Sequence, residues 1–544
     1  MNSEIKFHKW SVNDYKKLYK SIRNIFDMNS LQIYMPFFSL YFYIHNKPKA
    51  NLKIDMKRNY YLREVLEITK SRYYNSNMIL KGNIYNEMKN TTTEKDIFCK
   101  SIPILDPIHI INNNYNLVNH NNHHLPSNYN YNTFHKINDI NNTAYIDVLC
   151  SFLFGNLTHH KKSPSFPLFY GSVNGIGDYN YDLTEDYDDI KNDKCFNENI
   201  DKGFKLEIYV SDDDDDKSDD DKSDDDNKSD DDDKSGDDNK SDDDDKSDDD
   251  NKSDDDDKSG DDNKSDDDNK SDDDDKSDDD DKSGDDNKSD DDDKGEEGEE
   301  KYKGESFDDC IAKLIKIPIQ LLFIEKLEGT LEDLLDENIN EEVLLSCIFQ
   351  ISFALTYLQK HYHFTHNDLH INNVMFVKTE SKYLYYKYNN LYYRVPTHGY
   401  IFKIIDFGRA IFTYHNKVYM NDVFSGNGEA GGQYTYPNQI RFMIEKNKES
   451  IKPNYHFDLC RLSMTILEEL NDNDYSEKSL MFLNHMCKNS CDISFCDMPD
   501  DFYLYKSIAK DACNCLPRKI IMNDIFKSYR IKKKLFPRKS YYTL

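Results

Sequence analysis

The chain has no long hydrophobic run. Its most apolar segment, Leu31 to Ile44, is too short to cross a bilayer and contains Pro36, so it reads as core. The opening, Met1-Asn2-Ser3-Glu4-Ile5-Lys6, is polar and has no signal-peptide pattern. The eleven cysteines are scattered, odd in number and nowhere spaced as Cys-x-x-Cys. That argues against a disulfide framework. It also argues against zinc at Cys487, Cys491, Cys496, Cys513 and Cys515 with His485, where the spacings are irregular. Reduced thiols and a cytoplasmic location, without membrane attachment, are the natural expectation.

An excess of either charge is lacking too, once one stretch is set aside. Ser211 to Lys294 contains only Asp, Lys, Ser, Asn and Gly; its 47 Asp and 14 Lys give −33, the net charge of the whole chain. The other 460 residues carry 56 acidic and 56 basic side chains. Bulk charge therefore gives no sign of direct nucleic-acid binding. Those residues are rich in Tyr, Phe, Ile and Leu, enough for a large core. Within the run, serines recur every sixth residue from Ser223 to Ser289. Six is neither a helical nor a strand period, and the composition cannot bury a core. The expectation is a disordered, self-repelling insertion. It suits basic proteins, or the basic tail from Arg518 onward, as contacts; a tolerated repeat expansion between two strands explains its regularity.

The residues that carry chemistry are His366-Asn367-Asp368-Leu369-His370-Ile371-Asn372-Asn373. An apolar run, Val374 to Val377, follows, and later Phe402-Lys403-Ile404-Ile405-Asp406-Phe407-Gly408. Phosphoryl transfer needs a carboxylate near the attacking hydroxyl, hard oxygen ligands for Mg²⁺, and tight positioning. Asp368 fits the first need; Asn373 and Asp406 fit the second. Two motifs in this order, with strands between them, are hard to obtain by chance. Glu341 to Lys360 predicts an amphipathic helix leading into the loop, with Leu344, Ile348, Ile351, Leu355 and Leu358 on one face. Residues 378–399 predict a long hairpin. Arg409 to Pro437 contains Gly426, Gly428, Gly431 and Gly432 and has the composition of a mobile segment; no clear Ala-Pro-Glu closes it, and Tyr436-Pro437-Asn438 is the nearest to one. Phe457 to Ser463 opens a helix; an Asp at its start, Asp458, is usually an N-cap.

Upstream, Asp14 to Phe26 and Tyr61 to Ile68 both have helical spacing. Asp96 to Lys100 predicts a short strand ending in a lysine. Residues 109–142, with His120, His123 and His124, read as a flexible Asn-rich insertion rather than a metal site. Thr143 to Leu157 predicts a helix carrying Asp147. Phe166 to Gly171 and Ile317 to Ile324 predict strands, the second buried and running into Glu325-Lys326-Leu327.

In these motifs the chain resembles eukaryotic-type protein kinases. Tyr393 to Tyr400, followed by Ile404 to Ala410, is similar to the divergent kinases of giant DNA viruses of the mimivirus kind, which would place the chain in host cytoplasm or virion. Asp-Leu-His in the loop and Phe457 to Leu462 are similar to haspin-type kinases. The resemblance covers about residues 75–180 and 311–470. It implies an α+β, two-lobed fold, with a small β-rich lobe and a large, mostly helical lobe, interrupted by the acidic insertion. The expected divisions are a helical N-terminal extension (1–75), a small lobe with an Asn/His-rich insertion (76–210), the disordered repeat (211–305), the last small-lobe strand and hinge (306–330), and a large lobe with a basic tail (331–544). ATP and Mg²⁺ are implied as ligands, and a protein as acceptor.

The resemblance also assigns roles. It implies that Asp458, rather than only capping its helix, anchors the backbone of the loop that carries Asp368. Lys100 would hold phosphates and pair with Asp147, which stands where kinases use Glu. Gly82 would be the last glycine of a phosphate-covering loop, with Asn77 and Ile79 at the earlier glycine positions. Backbone groups of Glu325 and Leu327 would bind adenine, Ile324 would be the gatekeeper and Met375 the pocket floor. His370 replaces the lysine that helps neutralise the transferred phosphate, and Asn367 replaces an arginine that docks a phosphorylated activation segment. A Ser/Thr protein kinase is the leading expectation, since the loop lacks a tyrosine-kinase pattern. A small-molecule phosphotransferase of the choline or aminoglycoside type shares the His-x-Asp-Leu phrase. A pseudokinase scaffold is the third reading.

Overall fold

The computed structural model describes every residue outside 1–3, 7, 34–52, 73–75, 116, 118–127, 210–308, 416, 427, 437–452, 471–474 and 500–501. The expectations for the acidic repeat, for His120, His123 and His124, and for Pro437 and Asn438 lie outside the described residues, as does most of the apolar segment from Leu31.

The described chain is a mixed α/β structure: a large sheet, then a region rich in helices. The sheet comprises β1 (Asn29–Gln32), β2 (Tyr60–Arg72), β3 (Asn77–Asn86), β4 (Thr91–Pro103), β5 (Phe169–Asp182), β6 (Phe204–Tyr209) and β7 (Asp309–Glu325). Spatial order is β1-β5-β7-β4-β3-β2, with β6 also beside β7. β7 pairs with β5 along most of one edge and serves two partners on the other. Its first part, from Asp309 to Leu314, pairs with β6; its last part, from Ile319 to Glu325, pairs with β4. The handover falls at Lys316, which has φ 53°, and at Pro318, which has no N–H to donate. At its start Asp309 lies directly opposite Tyr209.

Helix α1 (Val12–Phe26) forms as its spacing predicts. Ser11 caps it by accepting from the Asp14 N–H at 3.0 Å, and Leu18 and Ile22 are buried on the sheet beside Leu62 and Val65. The helical spacing at Tyr61 to Ile68 misleads: these residues belong to β2, so the N-terminal extension is not all helix. The register against β3 shifts after Leu62, after Val65 and after Ile68. Each irregularity inserts a residue, so strand alternation is lost and an i, i+3 pattern results. Leu62 and Val65 are buried while Leu66 and Ile68 are exposed.

The predicted strand at Phe166 begins at Phe169 instead and runs on to Asp182. Helix α2 (Thr143–His159) is capped by Asn142, whose side chain accepts from the Ala144 N–H and donates to Ile104 O at 2.7 Å. After β7 come α3 (Leu331–Asp336) and α4 (Glu341–Tyr362). The face predicted for α4 is buried, but Phe349 and Phe353 are buried too. A helix apolar on all sides belongs in a core. It is long and apolar enough to cross a membrane by composition, yet 78% of that stretch is buried in the protein. Then follow β8 (Val374–Lys378), the expected hairpin of β9 (Tyr383–Tyr388) and β10 (Leu391–Pro396), β11 (Tyr400–Ile404), α5 (Phe457–Glu469) and α6 (Phe502–Asp511). Part of the Asn/His-rich stretch is regular, with helices at Pro107–Ile111 and Asn128–Asn138.

Candidate functional site

A cleft of about 400 Å³ is lined by β2, β3, β4, α2, the end of β7 and the segments around Met375 and Asp406. Lys100 lies at its centre, on β4, opposite Asn77 of β3 and Leu322 of β7. Its ammonium is 2.9 Å from Asp406 Oδ1 and 3.1 Å from Asp147 Oδ2. Asp147 comes from α2, and its other oxygen accepts the Phe407 N–H at 3.2 Å. One lysine and two carboxylates from distant parts of the sequence thus meet directly, and the shorter Asp147 side chain reaches Lys100 without a bridging water.

Burial alone would pull the Lys100 pKa down, but Asp147 and Asp406 outweigh it and hold it up. Burial pushes Asp147 up, against Lys100, with Asp406 adding to the rise. For Asp406 burial also pushes up, but Lys100 wins and the pKa is lowered. Two carboxylates sharing one cation are driven apart in acidity.

The loop bearing Asp368 is tied down by its backbone. Asp458, at the start of α5 and fully buried, accepts the N–H of His366 with both oxygens at 3.0 Å and that of Asn367 at 3.0 Å. Burial raises the Asp458 pKa to about 6, while the nearby His366 and the backbone N–H groups lower it. His366 Nε2 donates to Ile405 O at 2.9 Å, joining this loop to the one that carries Asp406. Asn367 and Asp406 adopt left-handed backbones, φ 64° and 57°. Asn and Asp tolerate that region best among residues with a Cβ, and such strain gathers at functional sites.

Asn373 donates through Nδ2 to Asp368 O at 2.8 Å and meets His370 Nε2 at 2.9 Å. Its amide nitrogen is thus occupied by protein, which leaves the carbonyl oxygen as its ligand atom. Asp406, with its side chain 40% exposed, supplies a second oxygen group. These are hard donors suited to Mg²⁺ that arrives with phosphate oxygens. No cluster of three or more His, Cys, Asp or Glu able to hold a metal occurs among the described residues. Burial lowers the His370 pKa, against the pull of Asp368.

Ile324, Glu325, Leu327 and Met375 all line the cleft. The Glu325 N–H donates to Leu168 O at 2.8 Å, so its backbone can offer a ligand only the carbonyl. Gly82 does not line the cleft. It lies within β3, opposite Lys95, where a Cβ would come within 2.6 Å of Ile97 Cδ1 and 3.0 Å of Glu64 O. It is glycine for packing, not for phosphate. Lys70 and Asn77 line the cleft instead. Gly428, expected to lend mobility, is also a packing glycine, since a Cβ would sit 2.3 Å from Val423 O.

Sequence reasoning missed three contributors. Lys70 carried no motif. Lys403, hidden in an apolar strand, is buried and donates to Glu325 Oε2 and to Phe166 O, each at 3.0 Å. Tyr505, about 100 residues beyond Asp406 in sequence, donates to Asp368 Oδ1 at 3.0 Å.

No protein-family model matches the chain. Among curated proteins it is 30% identical over 111 residues to the serine/threonine-protein kinase haspin of Mus musculus, covering 20% of this chain and 15% of that protein. It is 24% identical over 201 residues to the putative serine/threonine-protein kinase R301 of Acanthamoeba polyphaga mimivirus, covering 34% of this chain and 47% of that protein. The chain thus spans less than half the length of these relatives. The matches support a kinase-like protein.

Proposed function

We propose that the chain is an ATP-dependent protein kinase of the Ser/Thr type, built on a two-lobed kinase-like fold. The observation that carries this reading is the meeting of Lys100, Asp147 and Asp406 in one cleft, with the loop of Asp368 and Asn373 tied to the Asp406 loop by the bond from His366 to Ile405 O. A scaffold has no need of that constellation.

The adenine would lie between Ile324 and Met375, with the Glu325 carbonyl and the Leu327 backbone as its polar contacts. Lys100, held charged by its two carboxylates, would bind phosphate oxygens. Asn373 and Asp406 would hold Mg²⁺, which when bound neutralises charge on the phosphates. Asp368 would orient the acceptor hydroxyl and take its proton. Where His370 stands in place of the lysine of the kinases this chain resembles, Lys70 on the cleft wall would supply a further cation. The opposite charges of the acidic repeat and of the tail from Arg518 suit the repeat to basic proteins or to that tail, which we keep as part of the proposal.

The test is transfer of labelled γ-phosphate from Mg·ATP to basic, acidic and neutral proteins by wild type and Asp406→Ala. Transfer by the wild type alone supports the reading. Nucleotide binding without transfer to any protein, but with transfer to a small alcohol or aminocyclitol, would replace it.

A further inference from the structure

The Asp368 carboxylate is met by a residue that no motif indicates. Tyr505 lies on α6 and donates its hydroxyl hydrogen to Asp368 Oδ1 at 3.0 Å. Its ring meets two guanidinium groups, Arg409 at 5.4 Å and Arg461 at 5.5 Å, and lies 5.9 Å from the ring of Phe457. The helix beneath it is firmly seated. Leu504, Ser507 and Ile508 are buried, Asn454 Nδ2 donates to the carbonyls of Ile508 and Ala512, and Phe502 packs against the cluster of Ile411, Met420 and Phe424.

A hydroxyl that is to lose its proton to a carboxylate must stand about 2.6–3.2 Å from it. The Tyr505 oxygen already stands there. Neither Asn373, which binds the Asp368 backbone oxygen, nor His370, which is turned to Asn373, takes the carboxylate. We infer that Tyr505 fills the position of the acceptor hydroxyl, so that an acceptor reaches Asp368 only by displacing it. This rests on the phosphotransfer reading above. Burial raises the Tyr505 pKa, and the charge of Asp368 raises it further. The phenol therefore stays protonated and acts as a donor, in a charge-assisted bond stronger than one between neutral groups. α6 is then a gate on acceptors, with no bearing on nucleotide binding.

Tyr505→Phe keeps the ring and its packing and removes the hydroxyl's bond to Asp368 together with its contact to Arg461. Tyr505→Leu removes the ring as well and serves if the first variant folds poorly. The assay is phosphate release from Mg·ATP, with water as the smallest acceptor, alongside transfer to the protein panel; Asp406→Ala sets the floor. A bond to a charged group is worth about a tenfold change, so Tyr505→Phe should raise kcat/KM for the acceptor about tenfold. The KM for ATP and the melting temperature should stay as in wild type. A lower kcat overturns the inference and makes Tyr505 a residue that orients Asp368. Equal rates above the floor overturn it too. Rates at the floor in all variants, with Mg·ATP still raising the melting temperature, overturn the gate alone. Rates at the floor with no stabilisation by Mg·ATP remove the kinase reading, and the gate with it.

Discussion

Lys403→Met is the perturbation whose consequence follows most directly from the geometry. The Lys403 side chain is 4% exposed and its ammonium binds Glu325 Oε2 and Phe166 O, each at 3.0 Å. The same Glu325 oxygen accepts the Leu168 N–H at 3.0 Å. One cation thereby ties β11 to the chain leading into β5 and to the end of β7 that lines the adenine side of the cleft. Methionine keeps the volume and loses the charge. Left behind are a carboxylate with one N–H partner and a Phe166 carbonyl that keeps only the Thr158 hydroxyl, at 2.8 Å. Breaking a fully buried pair by removing one partner costs about 3–5 kcal/mol. Glu325 is 24% exposed and keeps its backbone partner. The expected loss is therefore smaller, about 2 kcal/mol. Urea titration should register it as a lower midpoint at unchanged slope. A double-mutant cycle with Glu325→Gln should give a coupling of about 1–2 kcal/mol. Because the pair is shielded from solvent, the coupling should persist at high salt. Strict additivity, or a coupling erased by salt, would refute the claim that this pair is a buried tie.

Asp368→Asn should lower turnover by about two to four orders of magnitude while Mg·ATP still stabilises the fold; unchanged turnover would remove Asp368 from the proposed chemistry. Lys100→Met should weaken nucleotide binding and also destabilise the chain, because Asp147 is left buried without its cation; a pH titration of stability should then show Asp147 protonating at higher pH than in wild type. Cys496 is exposed, and its bond with Cys487 lowers its pKa to about 7. Its alkylation rate should rise through neutral pH and exceed that of the buried Cys460, Cys487 and Cys515, as read by peptide mass spectrometry. Faster labelling at a buried thiol would contradict the packing.

What could be read in advance was local in sequence. The spacing from Asp368 to Asn373 is fixed by one tight turn, and the apolar strands on either side announce themselves by composition. Lys100 and Asp147 were also recoverable, since each sits at a set place in a strand or helix of recognisable pattern. What escaped depends on tertiary approach. Lys403 looks like an interruption of an apolar strand until Glu325 is brought beside it, and Tyr505 has no local pattern that could point to Asp368. The misreading of Tyr61 to Ile68 has a specific cause, since bulges imitate helical spacing. Gly82 was assigned by distance from Lys100 along the chain, yet the close approach that requires glycine there is to Ile97 and Glu64.

The pairing of Tyr209 with Asp309 bears on how this gene product can change over generations. The two residues face each other across a ladder, so the chain departs from the sheet and rejoins it at one point. What the described sheet requires is that these two ends stay opposite each other. The entropy of tying two such ends together grows with the logarithm of the length between them, about 0.6 kcal/mol for each doubling. Units of six residues can therefore be gained or lost by replication slippage at almost no cost to the cleft. The repeat number is a quantity that selection can tune, or ignore, independently of everything Lys100 and Asp368 require.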